Sequence, residues 1–151
     1  MEARDAMEPT PIWVQADESL MDAAQHMLAN PFSTLPVVGN DQGELIGTLS
    51  MDDLLPRLEA VPFSEVEALR LFGNWLDENN YNEFGPRYRE QTVQDHMHKD
   101  VQAVAPDAHL CQALRIIVSS SDHQVFVVDE ERRLLGVIGR NDVLAILTSG
   151  R

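Results

Sequence analysis

The sequence predicts an α+β fold in which two β-α-β-β-α units are related by a pseudo-twofold axis, with a helical insert between them. Three observations carry this expectation. First, the chain repeats itself. Asp5-Ala6-Met7 matches Asp95-His96-Met97, and the same 90-residue spacing pairs Val14 with Val104, Asp17 with Asp107, Leu20 with Leu110, Ala23 with Ala113 and Val37-Val38 with Val127-Val128. One residue is then dropped in a loop, and Gly47 pairs with Gly136 and Asp53 with Asp142 at a spacing of 89. A register kept through regular segments and broken only in a loop is the mark of a duplicated unit. Second, each half carries one helical stripe of apolar residues. Third, each half closes on an apolar strand that runs into a short helix with an Asp near its start: Leu45-Ile46-Gly47-Thr48-Leu49-Ser50-Met51-Asp52-Asp53 and Leu135-Gly136-Val137-Ile138-Gly139-Arg140-Asn141-Asp142.

In chain order, a short extended piece (12–14 and 101–104) precedes an Asp able to cap a helix, Asp17 or Asp107. The helix that follows has apolar residues at Leu20, Ala23, Ala24, Met27 and Leu28, and in the second half at Leu110, Ala113, Leu114, Ile117 and Val118. Both sets follow the i, i+3, i+4, i+7, i+8 spacing of one buried face. A strand comes next, Thr34–Val38 or Gln124–Val128, closed by the turn-forming runs Gly39-Asn40-Asp41-Gln42-Gly43 and Asp129-Glu130-Glu131-Arg132-Arg133. The second strand and the short helix complete each unit. A unit of about 50 residues buries little surface alone, so the two are expected to share a core. The boundaries expected are 1–55 for the first unit, 56–91 for the insert and 92–151 for the second. Within the insert, Ser64-Glu65-Val66-Glu67 is a capping-box pattern followed by Leu69, Phe72, Trp75 and Leu76 at helical spacing. A helix packed on its own module is expected there.

The composition narrows the function. With 44% hydrophobic residues in 151, the chain has material for a packed interior. Eleven basic against 25 acidic residues give a formal charge of −14, which argues against nucleic acid and against an anionic membrane surface as partners. No run is long and apolar enough to span a bilayer, and Met1-Glu2-Ala3-Arg4-Asp5 lacks the basic lead and apolar core of a signal peptide. The expected address is the cytoplasm. The single cysteine, Cys111, falls in a helical pattern and is read as a core residue.

The repeated junction is where chemistry is expected. A strand entering a helix presents backbone N–H groups and the positive end of the helix dipole, which suits a phosphate. The Ser50 hydroxyl can donate to phosphate oxygens, and the Asp53 carboxylate can accept from a sugar diol. Ser and Asp also cap helices in proteins that bind nothing, so the pattern alone leaves both readings open.

The ordered set of motifs resembles a tandem pair of cystathionine-β-synthase (CBS) domains, a Bateman module. The residues that carry the resemblance are Asp5-Ala6-Met7, Leu35-Pro36-Val37-Val38 and Gly47 through Asp53 in the first unit. In the second they are Asp95-His96-Met97, Val127-Val128-Asp129 and Gly136 through Asp142. The resemblance implies a non-catalytic regulatory module that binds adenosine nucleotides or related ligands in clefts between the two units and assembles into homodimers. It places Asp53 at the family's ribose-binding position and Ser50 at its phosphate-contacting position. Pro11, Ile12, Phe32, Ser33 and Pro36 then fall at the adenine wall and its backbone contacts. A second, weaker site would comprise Asp142, Arg140, Val101, Gln102, His123 and Phe126. There Gly139 replaces the hydroxyl residue, Phe126 stands where proline is usual, and Asp122 adds negative charge where an apolar wall is expected.

No cofactor is required on this reading. AMP, ADP, ATP or a related adenosine compound is the regulatory ligand, with Mg²⁺ accompanying a polyphosphate. The module carries no effector domain of its own, so its output passes to a protein target or to its own oligomer. A rival expectation is a scaffold of the same fold with degenerate sites that acts through protein contacts. An enzyme is disfavoured: His96-x-His98 places two imidazoles on one face if the segment is a strand, but no further Cys or His gives metal-ligand spacing.

Overall fold

The computed structural model describes residues 1–9, 11–30, 33–39, 41–54 and 88–149. The expected helix over 64–76 and Phe32 lie outside the described residues. In chain order the elements are α1 (Ala3–Ala6), β1 (Glu8–Pro9), β2 (Val14–Gln15), α2 (Leu20–Ala29), β3 (Thr34–Val38), β4 (Leu45–Ser50) and α3 (Met51–Leu54). They continue with α4 (Val93–His96), β5 (Ala103–Val104), α5 (Leu110–Ser119), β6 (Gln124–Val128), β7 (Leu134–Gly139) and α6 (Arg140–Ser149). The strands form two sheets, one in the order β2-β3-β4 and the other β1-β7-β6-β5. Each has an antiparallel hairpin flanked by one parallel strand, and each hairpin has a register shift at its second paired valine, between Val37 and Val38 or Val127 and Val128. The repeat legible in the sequence is thus a repeat of the backbone.

The helices form where the periodicity places them. Ser19 caps α2, its hydroxyl accepting from the Asp22 amide, and His109 caps α5, its ring accepting from the Cys111 amide. These caps replace the expected Asp17 and Asp107, which stand two residues before them. On α2, Leu20, Ala23 and Met27 are buried, and on α5 so are Leu110, Ala113 and Ile117. The stripe is narrower than expected: Leu28 is 83% and Val118 81% exposed. A ten-residue helix on one sheet face covers little more than an i, i+3, i+7 strip, and the i+8 position turns past it. Cys111 is exposed as well, correcting its reading as a core residue. It follows Leu110 directly and therefore points about 100° away from the buried stripe.

Between the units the chain crosses over. The α1 segment belongs to the core of the second unit, where Ala3 is fully buried with Val104, Leu110 and Ile138. Its backbone bonds there too, from the Ala3 amide to the Ala108 carbonyl (2.8 Å) and from the Arg4 amide to the Pro106 carbonyl (2.9 Å). Reciprocally, Val93 of α4 is buried with Val14, Leu20 and Leu49 of the first unit, and the Val93 and Gln94 amides donate to Glu18 and Ala16 (both 2.9 Å). After each short helix the chain adds to the other unit's sheet: Glu8 pairs with Val137, and His98 bridges Thr48. Glycine permits the close approach. A Cβ on Gly47 would lie 2.8 Å from the His98 carbonyl oxygen, and one on Gly136 2.8 Å from that of Glu8.

The hairpin ends close the gap between the sheets. The Leu45 amide donates to the Arg132 carbonyl and the Leu134 amide to the Gly43 carbonyl, each at 2.9 Å, over an apolar cluster of Leu45, Phe126, Val128 and Leu134. Both turns need a left-handed residue. The first uses Gly43 (φ 80°), whereas the second forces Arg132 to φ 61° and offsets that strain with Asp129, whose carboxylate accepts from the Glu131 and Arg133 amides.

Candidate functional site

The first strand–helix junction is tightly built. β4 ends at Ser50, and the Asp53 carboxylate on the first turn of α3 folds back over it. One oxygen, Oδ2, accepts from both the Ser50 amide and the Ser50 hydroxyl (2.8 Å each). The other, Oδ1, lies 2.7 Å from His98 Nε2, on the segment that crosses in from the second half. The Asp53 side chain is 3% exposed and that of His98 53%. Burial of the carboxyl works against ionisation, but the two Ser50 hydrogen bonds, the His98 hydrogen bond and the His98 charge outweigh it and hold Asp53 below its ordinary pKa.

This junction opens on a cavity of about 630 Å³ between the two units. From the first half it is lined by Ser33, Thr34, Thr48, Ser50, Met51, Asp52 and Asp53, and from the second by His98, Asp100, Ser121, Asp122, His123 and Arg140. Ser50, Asp53 and Ser33 of the expected first site therefore meet His123 and Arg140 of the expected second site in one cleft. Its size is within the usual range for small-molecule sites. Four carboxylates face one arginine and two histidines across it, so the cleft is acidic.

A second cavity, of about 320 Å³, is lined by Glu8, Pro11, Ile12, Asn30, Thr34, Leu35, Pro36, Gln124, Phe126 and Val137. Here stand Pro11, Ile12 and Pro36, expected beside Asp53, together with Phe126 from the expected second site. Neither Asp142 nor Arg140 lines it. The crossover explains this redistribution. The segment ahead of β2 follows Glu8 onto the second unit's β7, and the segment ahead of β5 follows His98 onto the first unit's β4, so each lines the opposite unit's cavity. Val101 packs instead against the cluster of Leu45, Phe126 and Val128, and Gln102 is exposed, its carbonyl accepting from the Phe126 amide. Asp142 repeats only the backbone half of the first junction, accepting from the Gly139 amide at 2.7 Å.

His98 is the residue that sequence reasoning missed in this role. Its partner is 45 positions away, and no local spacing marks the pair. The nearest signal was His96-x-His98, but the two imidazoles do not share a strand face: His96 ends α4, and only His98 enters the cleft. Among the described residues, no group of three or more His, Cys, Asp or Glu side chains is arranged to hold a metal.

The comparison with protein families matches the model described as CBS domain twice, over residues 3–60 and 93–149. The chain belongs to the CBS domain family. Its two CBS units account for the pair of sheets and for the repeat. An uncharacterized protein of Methanocaldococcus jannaschii is 26% identical over 145 residues, covering 91% of this chain and 86% of its own. Among solved structures, the CBS-pair protein CBSX2 from Arabidopsis thaliana superposes with a TM-score of 0.76 at 22% identity, over 98% of this chain and 94% of that one. A structure of CBSX2 in complex with AMP gives 0.69 at 24% identity, covering 99% and 98%. The CBS domain pair of protein MJ0100, in complex with 5′-methylthioadenosine and S-adenosylmethionine, gives 0.67 at 18% identity, covering 100% and 98%. At these identities the likeness carries the fold. No helix among the described residues is long and apolar enough to cross a membrane.

Proposed function

We propose that this CBS pair is a non-catalytic regulatory module that binds one adenosine-containing ligand in the cleft beside Ser50 and Asp53. The observation that carries the reading is the convergence of a hydroxyl, a carboxylate and a helix start from the first unit with Arg140 and His123 from the second, in one cavity between them. Asp53 would receive the ribose diol and Ser50 a 5′ substituent, with Arg140 able to add a charge-assisted hydrogen bond. Phosphate or another 5′ group would then reach the second unit, so occupancy favours one packing of the two units over another. A ligand shifts that equilibrium only by its differential affinity for the two arrangements. The signal then passes to a protein target or through a homodimer, in the cytoplasm, and a polyphosphate would bring Mg²⁺ with it into this acidic cleft. That CBSX2 was crystallised with AMP and the MJ0100 pair with 5′-methylthioadenosine and S-adenosylmethionine supports an adenosine compound as the ligand class.

The smaller cavity supports binding less well. Neither the Asp142 carboxylate nor the Arg140 guanidinium lines it. One ligand per chain is the proposed stoichiometry. Calorimetric titration with AMP, 5′-methylthioadenosine and S-adenosylmethionine tests the reading. A one-to-one isotherm with at least one of them, lost in a Ser50→Ala/Asp53→Ala variant that remains folded, is expected. No heat with any of them, from protein shown to be free of carried-over nucleotide, would leave the scaffold as the better account.

A further inference from the structure

We propose that His98 is a latch over the ribose-binding carboxylate, which a ligand must displace to enter. This rests on the reading of Asp53 as the ribose acceptor and concerns how that site is regulated. A sugar diol needs direct access to the carboxylate, yet the Asp53 side chain is 3% exposed. Oδ2 is engaged by the Ser50 amide, which belongs to the junction itself and cannot leave without undoing the start of α3, and by the Ser50 hydroxyl. Oδ1 is engaged by His98 Nε2 at 2.7 Å. The imidazole, 53% exposed, stands half in solvent on a rotatable side chain, so it is able to clear Oδ1. The backbone beneath it stays fixed: the Thr48 amide donates to the His98 carbonyl (2.9 Å) and the His98 amide to the Thr48 carbonyl (2.8 Å). Displacement is therefore a side-chain swing across the seam between the units, with the Asp100 and Asp122 carboxylates and the His123 ring in the same cleft as alternative partners.

The latch makes binding depend on pH. An imidazolium holds a carboxylate more firmly than a neutral imidazole does, and histidine side chains change charge mainly between pH 5 and 8. Affinity then rises wherever the imidazole gives up its proton, by the fraction of molecules whose carboxylate is open. Asp52, Asp53, Asp100, Asp122, His123 and Arg140 share the cleft, so the His98 contribution is isolated by substitution. The suitable probe is 5′-methylthioadenosine, which offers the same ribose without a phosphate that titrates in the same interval.

The experiment is titration of the full chain with this probe and with AMP from pH 5.5 to 8, using the native protein, His98→Ala and His98→Gln. His98→Ala is expected to bind 5′-methylthioadenosine about three- to tenfold more tightly at pH 6. His98→Gln, which keeps a neutral donor, is expected to lose most of the pH slope. Weaker binding by His98→Ala, or an unchanged slope in both variants, overturns the latch while leaving the ribose site standing. Absence of binding by all three proteins to either probe overturns the ribose reading and the latch with it.

Discussion

The two strand–helix junctions descend from one repeat and end in the same carboxylate, yet they are finished differently. At the first, Asp53 is buried, accepts from the amide and hydroxyl of Ser50, and meets His98 from the other half. At the second, Asp142 is half-buried and accepts from the Gly139 amide; Gly139 supplies no hydroxyl, and the register position of His98 is filled by Glu8. The backbone of the cap has been kept in both copies, since the helix start needs it. The hydroxyl and the imidazole that join the carboxylate stand together only in the first. A shared fold therefore gives two equivalent junctions, and residue chemistry separates them.

The largest effects should fall where the halves are still equivalent. Gly47→Ala and Gly136→Ala each drive a Cβ to 2.8 Å from a backbone carbonyl oxygen of the crossing segment. Each is expected to cost about 1–3 kcal/mol, read from the midpoint of urea unfolding. Unequal costs would break the equivalence of the two crossovers. A smaller effect separates the junctions: Asp53→Ala is expected to destabilise by about 2 kcal/mol and Asp142→Ala by about 1, because only the first leaves a half-buried hydroxyl and an imidazole without their acceptor.

The pH dependence sharpens the same contrast. Asp53 is held below its ordinary pKa in the folded chain, so its contribution to stability is fully present above the unfolded value of about 4. It is lost as pH falls through the lowered folded value. Asp53→Asn should accordingly flatten the fall in melting temperature below about pH 4. The smallest effect is a repair. A Cβ on Gly139 would lie 3.6 Å from Asp142 Oδ2, leaving room for a hydroxyl, and Gly139→Ser is expected to add a few tenths of a kcal/mol, about 1 °C in melting temperature.

Much of the fold was legible because strands, helices and turns each follow local rules, and the 90-residue repeat read them twice. The hairpins and the principal helices α2 and α5 stand where periodicity put them. The crossover was not legible. Two copies of one unit offer the same pairing edge, so local pattern does not say whether the segment ahead of β2 joins its own sheet or the other. That single ambiguity accounts for the redistribution of Pro11, Ile12 and Pro36 away from Asp53, and for the late appearance of His98. Ser50 and Asp53 could be identified because they sit three residues apart on one turn; His98 acts across the seam. Leu28, Val118 and Cys111 show a different limit, since periodicity locates the centre of a buried stripe better than its edges.

The most direct test of the claim that the first junction alone binds is the ligand-induced rise in melting temperature with AMP and with 5′-methylthioadenosine, measured side by side on the native chain, Asp53→Asn and Asp142→Asn. A ligand that binds only the folded state raises the midpoint with its concentration. The expected result is a rise retained in Asp142→Asn and lost in Asp53→Asn. A rise lost in Asp142→Asn and retained in Asp53→Asn would contradict the account.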